Sequence, residues 1–249
     1  MSGEIAIVSG GAGAIGQVIV RALRARGLTV VIVGRREREL VALAATDPGI
    51  RPCVADLASD DAIAAVRAGL DAPVRAIVHS VGVPVAGGVL EAGTEAILGA
   101  VNVKVCGLLR LVRAAEGRFA RQSRIIAIGG HYGLEPTAYA ATAGVGNAAL
   151  MNLARQLSLA YGPRGVTAHV IAPGPADTER LRAVAAARAA QRGVGVAEVF
   201  DELKAESSIG AFTTPEQVAW GVTMLLAPEA DAMTGSTLML DSGRRRGLP

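Results

Sequence analysis

The sequence is poor in cysteine, lysine and aromatic residues. Its two cysteines, Cys53 and Cys106, lie far apart inside apolar segments, which argues against a disulfide framework and against a metal site. The net charge is +3 and the pI is about 9.2, but the arginines are scattered, apart from Arg244-Arg245-Arg246 near the end of the sequence. Nucleic-acid binding is therefore not expected. The three terminal arginines are either a solvated end or a contact for a second subunit or an anionic substrate group.

The sequence also lacks long apolar runs and linkers. No apolar stretch approaches the roughly twenty residues that cross a bilayer, and the first residues carry no signal pattern. No segment rich in proline or serine divides the 249 residues, of which 51% are hydrophobic. We therefore expect a single domain over residues 1–249 that is cytoplasmic and does not associate with membranes.

The strongest local pattern is a strand, a turn and a helix within residues 5–23. The strand is an apolar run that ends at Ser9, and the helix follows from apolar residues at helical spacing. The turn between them holds four glycines: Gly10, Gly11, Gly13 and Gly16. Glycine lets the backbone approach a ligand closely, and the start of a helix attracts an anion. The pattern predicts a site for a phosphate-bearing nucleotide.

Six further runs of β-branched residues alternate with helical stretches, at residues 28–33, 51–55, 74–79, 124–128, 166–172 and 236–240. Several of these runs are apolar without a break, which is typical of strands buried on both faces. The predicted fold is α/β: a single Rossmann-like, doubly wound domain whose seven-stranded, mostly parallel sheet carries helices on both faces. Ligands of such a sheet bind at the carboxyl ends of the strands.

Charged residues follow the second and third predicted strands. Arg35 and Arg36 occupy the place where a dinucleotide fold usually holds an acidic residue against the adenosine ribose, and arginine there favours a 2′-phosphate. We therefore expect NADP(H) rather than NAD(H), unless the two arginines simply begin a charged helix. Asp56 is either a ligand contact or a turn carboxylate.

On these residues, and on motifs along nearly its whole length, the sequence resembles the short-chain dehydrogenase/reductase family. The stretch from Ser9 to Gly16 is similar to the family's TGxxxGxG turn, with Ala14 in the place of the middle glycine. His79-Ser80-Val81-Gly82 stands where the family has NNAG and keeps only the glycine. With Arg35 and Arg36, the resemblance implies these cofactor-binding residues: Ser9, Gly10, Gly11, Ala14, Ile15, Gly16, Asp56, Leu57, Ser80, Val81, Gly82, Asn147, Pro173, Gly174 and Thr178.

The sequence departs from the family at the residues of the chemistry. The family's catalytic serine, tyrosine and lysine fall on Gly130, Ala143 and Asn147. The only two lysines are Lys104 and Lys204, and neither follows a tyrosine by four residues, so no YxxxK motif occurs. In the family that lysine lowers the pKa of the tyrosine and holds the nicotinamide ribose. Asn147 is a neutral candidate for the ribose contact.

Three residues are candidates to replace the missing chemistry. His131 titrates near neutral pH as a free side chain and is a candidate general acid, while Tyr139 or the amide of Asn102 would fix the substrate oxygen. Asn102 falls on the helix asparagine of the family. The alternative is that His131 and the neighbouring Tyr132 are turn residues and that Tyr139 packs on a helix.

Three other polar residues are interpreted as structural. His79 ends a strand and His169 lies within one, so both are expected to be buried, hydrogen-bonded histidines. Lys104 follows Asn102 by two residues and is expected on another face of the helix, in solvent or at an interface.

Residues 178–208 are alanine-rich and helical, with an interruption at Gly193 and Gly195. The resemblance implies a substrate lid there, and the small side chains of Ala183, Val184 and Ala187 suggest an apolar substrate. Two functions fit the sequence. The first is an NADP(H)-dependent oxidoreductase acting on a carbonyl, an alcohol or an activated C=C. The second is a non-redox protein on the same scaffold: a partner subunit, a regulator, or an enzyme of cyclisation, dehydration or isomerisation.

The resemblance also implies a homotetramer or a homodimer. The helices within residues 102–119 and 143–161 would pair between subunits, and their alanine and leucine content suits close helix packing.

Overall fold

The computed structural model describes residues 3–84 and 87–247. Within that part of the chain, seven strands form one sheet in the order β3-β2-β1-β4-β5-β6-β7, and every neighbouring pair is parallel. The strands are β1 Ile5–Ser9, β2 Thr29–Gly34, β3 Ile50–Val54, β4 Val74–His79, β5 Phe119–Ile128, β6 Thr167–Pro173 and β7 Thr237–Leu240. The predicted doubly wound sheet is confirmed, and it is wholly parallel.

The strands alternate with helices that cover both faces of the sheet. In chain order the α-helices are α1 Ala14–Arg24, α2 Glu37–Ala44, α3 Asp61–Ala68, α4 Thr94–Val101, α5 Gly107–Ala115, α6 Ala141–Tyr161, α7 Glu179–Arg192, α8 Val196–Ala205 and α9 Pro215–Met224. A π-helical turn, Asn102–Cys106, joins α4 to α5, and a short 3₁₀ turn, His131–Gly133, follows β5. Among the described helices, none has the length and apolar character needed to cross a membrane.

Two apolar layers hold the helices against the sheet. In β1, Ile5 and Ile7 point into the layer shared with α3, α5 and α6, whereas Ala6 and Val8 point into the layer shared with α1 and α9. Successive side chains of a strand face opposite sides, so a strand covered on both faces must be apolar at every position. This requirement explains the unbroken apolar run by which the strand is predicted.

The predicted strands agree with the structure to within about two residues, except at the start of β5. That strand begins at Phe119, because Phe119 pairs with Val74 of β4 ahead of an irregularity in the register. Gln122 has a positive φ of 67°, and the Ser123 hydroxyl donates to the carbonyl of Val74 at 2.7 Å. Because the sequence of this extension is mostly polar, a search for apolar runs does not detect it.

Helices α7 and α8 form the helical pair predicted for residues 178–208. Gly193 ends α7 in the left-handed conformation, with a φ of 66°, and Gly195 stands at the start of α8. The pair has a small apolar core of its own, made by Ala185, Ala189, Val199 and Leu203. The side chain of Ala187, one of the residues on which the apolar-substrate prediction depends, lies outside the described part of the structure.

Candidate functional site

A cavity of about 530 Å³ opens at the carboxyl ends of β1, β2, β3 and β4. Eight of the predicted cofactor residues line it: Gly10, Arg35, Arg36, Asp56, Leu57, Ser80, Val81 and Gly82. They come from four loops that are separate in the sequence and meet because the strands are parallel. The structure therefore brings together about half of the predicted cofactor residues in one cavity.

The glycine turn after β1 has no room for a side chain at Gly10 or at Gly16. Gly10 has a φ of +69°, and a Cβ there would lie 2.6 Å from the carbonyl oxygen of Ser80. A Cβ at Gly16 would lie 2.1 Å from the carbonyl oxygen of Gly10. Gly13, which sequence reasoning did not assign to the cofactor, lines the cavity as the N-cap of α1. The turn thus brings bare backbone to the cavity wall.

The N-terminus of α1 suits an anionic group. None of the described side chains caps it, and its first turn contains no acidic residue. The first N–H groups of a helix lack partners within the helix and carry its positive dipole end. Ala14 and Ile15 contribute their backbones here, although their side chains do not line the cavity. A phosphate is the group that such a start binds best.

The side chain of Arg35 lies largely in solvent beside this cavity. It is 75% exposed, and its Nη1 is 4.0 Å from Oδ2 of Asp56. Arg36 is more firmly engaged, because its Nη2 is 2.8 Å from Oε2 of Glu39. Arg36 is also the N-cap residue of α2, so the two arginines do begin a charged helix while lining the cavity. Asp56 likewise has both interpretations, since its Oδ1 accepts from the N–H of Ala58 at 3.0 Å.

The opposite wall of the cavity comes from residues that sequence reasoning missed. Ala96, Gly99, Ala100 and Val103 line it from α4 and the turn that follows. Their spacing of three, four and seven residues places them on one helix face, and that spacing of small residues is the signal that would have found them. Thr142 of α6 also lines the cavity and donates to the carbonyl of Pro84 at 2.9 Å.

Several predicted cofactor residues have structural roles and do not line this cavity. The Ser9 side chain is fully buried, with Oγ 2.8 Å from Nδ1 of His79. Gly11 packs on Ile32, where a Cβ would come within 2.8 Å of a methyl group. Pro173 and Gly174 lie at the end of β6, where a Cβ on Gly174 would be 3.0 Å from Cα of Asp241. These residues therefore pack beside the ends of the strands and are not part of the cavity wall.

Thr178 is one of the predicted cofactor-binding residues, and in the structure its hydroxyl group makes hydrogen bonds within the protein. It is the N-cap of α7, where Oγ1 accepts from the N–H of Leu181 at 3.4 Å and donates to the carbonyl of Ala176 at 3.2 Å. The hydroxyl on which a cofactor contact would depend therefore already caps α7.

Gly130 and Asn147, on which the resemblance places the family serine and lysine, are in contact. A Cβ on Gly130 would lie 2.8 Å from Nδ2 of Asn147, so the asparagine amide fills the space that a serine side chain would need. Asn147 is 4% exposed, and its Oδ1 has no hydrogen-bond partner among the described residues. Ala143 lies one helical turn earlier in α6, next to Thr142 of the cavity wall. Asn147 itself does not line that cavity.

The amide of Asn102, which was predicted to fix a substrate oxygen, makes hydrogen bonds within the protein. Its Nδ2 donates to the carbonyl of Ala58 at 3.0 Å, and its Oδ1 accepts from Arg110 at 2.8 Å. The prediction for Lys104 is wrong, because this lysine is 4% exposed and its Nζ donates to the carbonyl of Ile128 at 3.3 Å. Both residues lie in the π-helical turn, whose wider winding changes which residues face inward.

His131 is too deeply buried to titrate near neutral pH. It is 4% exposed, and burial, reinforced by the charge of Arg244, lowers its pKa to about 4. Its imidazole is therefore neutral at pH 7, which contradicts the prediction that it acts as a general acid there. His79 and His169 are the buried histidines expected. Burial lowers the pKa of His79 to about 3 and that of His169 to about 4.

Tyr132 and Tyr139 form a pair of hydroxyl groups on the loop before α6. Their Oη atoms are 2.9 Å apart. Burial raises the pKa of Tyr132 to about 12. Burial would also raise the pKa of Tyr139, but the hydrogen bond with Tyr132 and the positive charges of Arg188 and Arg244 lower it below its usual value. Of the candidate proton donors, the Tyr139 hydroxyl is therefore the most acidic at neutral pH.

The tyrosine pair lines a second, smaller cavity of about 180 Å³. His131 and Glu135 contribute from the same loop, and Glu206, Arg244 and Arg246 contribute from the end of α8 and the C-terminal segment. Tyr139 lies three residues before Thr142, which lines the first cavity. The predicted catalytic loop therefore lies next to the predicted cofactor cavity, without being part of its wall.

The comparisons with known proteins agree with this geometry. Residues 10–245 match the family model described as Enoyl-(Acyl carrier protein) reductase. The chain is 29% identical to the short-chain reductase protein NovJ of Streptomyces niveus, over 97% of this chain and 94% of that protein. It is 25% identical to an actinorhodin polyketide ketoreductase variant with NADPH, with a TM-score of 0.90 over 98% of both chains. It is 28% identical to BdcA in complex with NADPH, with a TM-score of 0.84, over 100% of this chain and 97% of that chain. The chain belongs to the short-chain dehydrogenase/reductase family.

Proposed function

We propose that the protein is an NADP(H)-dependent oxidoreductase that acts on a carbonyl, an alcohol or an activated C=C of a small substrate with an apolar body. The observation that carries this proposal is the larger cavity, in which the bare glycine turn and the uncapped start of α1 face the exposed guanidinium of Arg35. The cavity offers backbone N–H groups to a pyrophosphate and a cation to a 2′-phosphate.

Different residues of the larger cavity would each hold a different part of the cofactor. The turn at Gly10 and Gly13 receives the pyrophosphate, and Arg35 receives the 2′-phosphate. Leu57 and the small residues of α4 give the adenosine an apolar wall. When bound, NADP(H) supplies or accepts a hydride. The NADPH complexes of the ketoreductase and of BdcA, to which this chain is similar over nearly its whole length, support the choice of cofactor.

The proposed proton donor is Tyr139. In our proposal the site lacks the family's serine, tyrosine and lysine, because Gly130, Ala143 and Asn147 stand in their places. His131 is neutral at pH 7. Tyr139 is 42% exposed, and the pKa of its hydroxyl group is below the usual value. Tyr139 would give its proton to the substrate oxygen in carbonyl reduction. The name of the ketoreductase relative supports a ketone as the first substrate to test.

The first experiment is calorimetry of NADPH and of NADH binding to the purified protein. We expect NADPH to bind more tightly than NADH. A screen of NADPH oxidation at 340 nm would follow, with ketones, ketoacyl thioesters and conjugated enones as substrates. Tyr139→Phe should then reduce kcat about 100-fold or more, as expected for loss of a general acid. Tyr161→Phe is the matched control, because Tyr161 pairs with Glu116 at the far end of α6.

The same experiments separate the two functions that the sequence leaves open. If neither cofactor binds, the oxidoreductase proposal is wrong and a non-redox function on the same scaffold takes its place. If NADPH binds and turnover is unchanged in Tyr139→Phe, the cofactor assignment stands and the proton donor is another group.

A further inference from the structure

Arg188 of α7 reaches across from the lid segment to Tyr139. Its Cζ lies 4.3 Å from the centroid of the tyrosine ring, and its positive charge lowers the pKa of the phenol. Among the described residues, Arg188 makes no ion pair, whereas Arg182 and Arg192 of the same helix pair with Asp177 and Glu202. Arg188 therefore contacts the phenol, and its charge also lowers the pKa of Glu202 without forming an ion pair with it.

The other charged groups around Tyr139 are already engaged. Arg244 of the C-terminal segment donates to the carbonyl of Leu203 and to Glu206. Glu135 of the loop accepts from the N–H of Gly247 and lies 3.7 Å from Arg245. Arg246 is exposed at the rim of the same small cavity, and His131 is neutral at pH 7. The two carboxylates of the small cavity are both paired with arginines of the C-terminal segment, and Arg188 is the cation in contact with the phenol.

We propose that Arg188 is a positioning residue that prepares the Tyr139 hydroxyl to release its proton, so that proton transfer requires α7 to lie over the loop of residues 131–140. The inference rests on the proposed function, because it gives the tyrosine of that proposal its activating cation. A cation in contact with a phenol favours the ionised form, which is the state that the phenol reaches when it gives up its proton.

The step balances with the groups named. As the hydride adds to the carbonyl carbon, the O–H bond of Tyr139 breaks and its proton forms the new O–H bond of the alcohol. Tyr139 is left as a phenolate in contact with Arg188, and the Tyr132 hydroxyl, 2.9 Å away, returns a proton to it from water. Oxidation of an alcohol uses the same groups in the reverse order.

The position of Arg188 also links this chemistry to the lid. The α7–α8 pair has its own apolar core and is joined to the C-terminal segment through Arg244. When the pair lies over the loop, Arg188 contacts the phenol. A displacement of α7 by a few ångströms would remove this contact, because a charge acts on a pKa strongly only within about 4–6 Å. Substrate entry under the lid and activation of the proton donor would therefore be coupled.

Ultraviolet titration of the tyrosines tests the inference without a substrate. The protein has three tyrosines, and burial raises the pKa of Tyr132 and of Tyr161 to about 12. Tyrosinate absorbance near 295 nm should therefore show one tyrosine that ionises below pH 10, followed by two that ionise far above it. Tyr139→Phe should remove the first step and so identify it.

Arg188→Met should raise the pKa of the first step by about 1 unit or more, in line with the loss of an opposite charge at contact distance. Arg188→Lys should keep most of the effect. Arg182→Met is the matched control, since Arg182 lies on the same helix and pairs with Asp177 instead. Arg188→Gln gives a second neutral variant if the methionine variant does not fold. An unchanged first step in a folded neutral variant would overturn the inference.

Kinetics then provide a second readout once a ketone substrate is known. Arg188→Met should lower kcat and move the alkaline limb of its pH profile for reduction to higher pH, because the donor then loses its proton at a higher pH. A purely structural role would lower the amount of folded enzyme and leave the limb where it was. Failure of the proposed function would appear separately, as an absence of NADPH binding in a protein whose tyrosine titration still responds to Arg188.

Discussion

Replacing Arg35 by aspartate should reverse the preference between NADPH and NADH. Arg35 lines the larger cavity at the end of β2, and its guanidinium has only a distant partner, 4.0 Å away on Asp56. The side chain is therefore available for the 2′-phosphate, which NADPH carries and NADH does not. In Arg35→Asp the attraction for that phosphate is lost, and a second carboxylate is placed beside Asp56.

The magnitude follows from the chemistry of the contact. A hydrogen bond that involves charged groups contributes about 1.5–3 kcal/mol, which corresponds to a loss of roughly 10- to 150-fold in NADPH affinity. Repulsion between the new carboxylate and the phosphate adds roughly 1 kcal/mol at 4 Å in water. NADH should change by less than about threefold, since it has no group at that place. Arg35→Met isolates the lost attraction, and its effect should be the smaller of the two.

Calorimetry of both cofactors with Arg35→Asp, Arg35→Met and Arg36→Met is the assay. Arg36→Met is the matched control, because Arg36 is already paired with Glu39 at 2.8 Å and should contribute less to NADPH binding. High salt should narrow the difference between the cofactors, since Arg35 is 75% exposed and its charge is screened. Equal losses for NADPH and NADH in Arg35→Asp would refute the assignment of the 2′-phosphate to this residue.

Three further predictions concern the folded state. Arg124 is fully buried and donates to the carbonyls at the end of α9, so Arg124→Met should cost about 3 kcal/mol or more and lower Tm by roughly 6–12 °C in a thermal melt. The three buried histidines have folded-state pKa values of about 3 to 4, below the unfolded value of about 6.5. Unfolding therefore takes up protons. Above the unfolded pKa the histidines do not reduce the free energy of unfolding. As the pH drops towards 4 this free energy falls, by about 2 kcal/mol per histidine between pH 7 and pH 5, and urea unfolding would measure the change. Gly130→Ala should cost about 1–3 kcal/mol through its contact with the Asn147 amide, and Asn147→Ala should relieve most of that cost in a double-mutant cycle.

The sequence predicts the sheet well because burial on both faces leaves a strong pattern. The bounds of β4 at Val74–His79 agree with the prediction without a shift, since an apolar run there ends at a loop that lines the cavity. The first five residues of β5 were missed because their pairing with β4, and not their composition, makes them a strand. The glycine turn could also be predicted from the sequence, because positions that have no room for a side chain require glycine.

The predictions for single side chains failed where tertiary structure decides their environment. The sequence spacing predicted Lys104 in solvent or at an interface. A π-helical turn, which cannot be recognised from residue types, instead directs its side chain to the carbonyl of Ile128. The free side-chain pKa made His131 a candidate acid, and only the fold shows that it is buried. Tyr139 and Arg188 are 49 residues apart and meet only through the packing of α7, so no local pattern could have joined them.

The contact between Gly130 and Asn147 bears on the proposal that other residues stand in the places of the family's serine and lysine. If the two positions were independent of each other, we would expect a gap between them. Instead, the amide of Asn147 lies against Gly130, and restoring a Cβ at residue 130 would require it to move. The two residues therefore belong to one packing arrangement, and we expect the effects of substitutions at residues 130 and 147 to be coupled. In the function proposed above, the proton donor lies elsewhere on the same loop. Tyr139, with Arg188 over its ring, is the phenol and cation that the structure offers there.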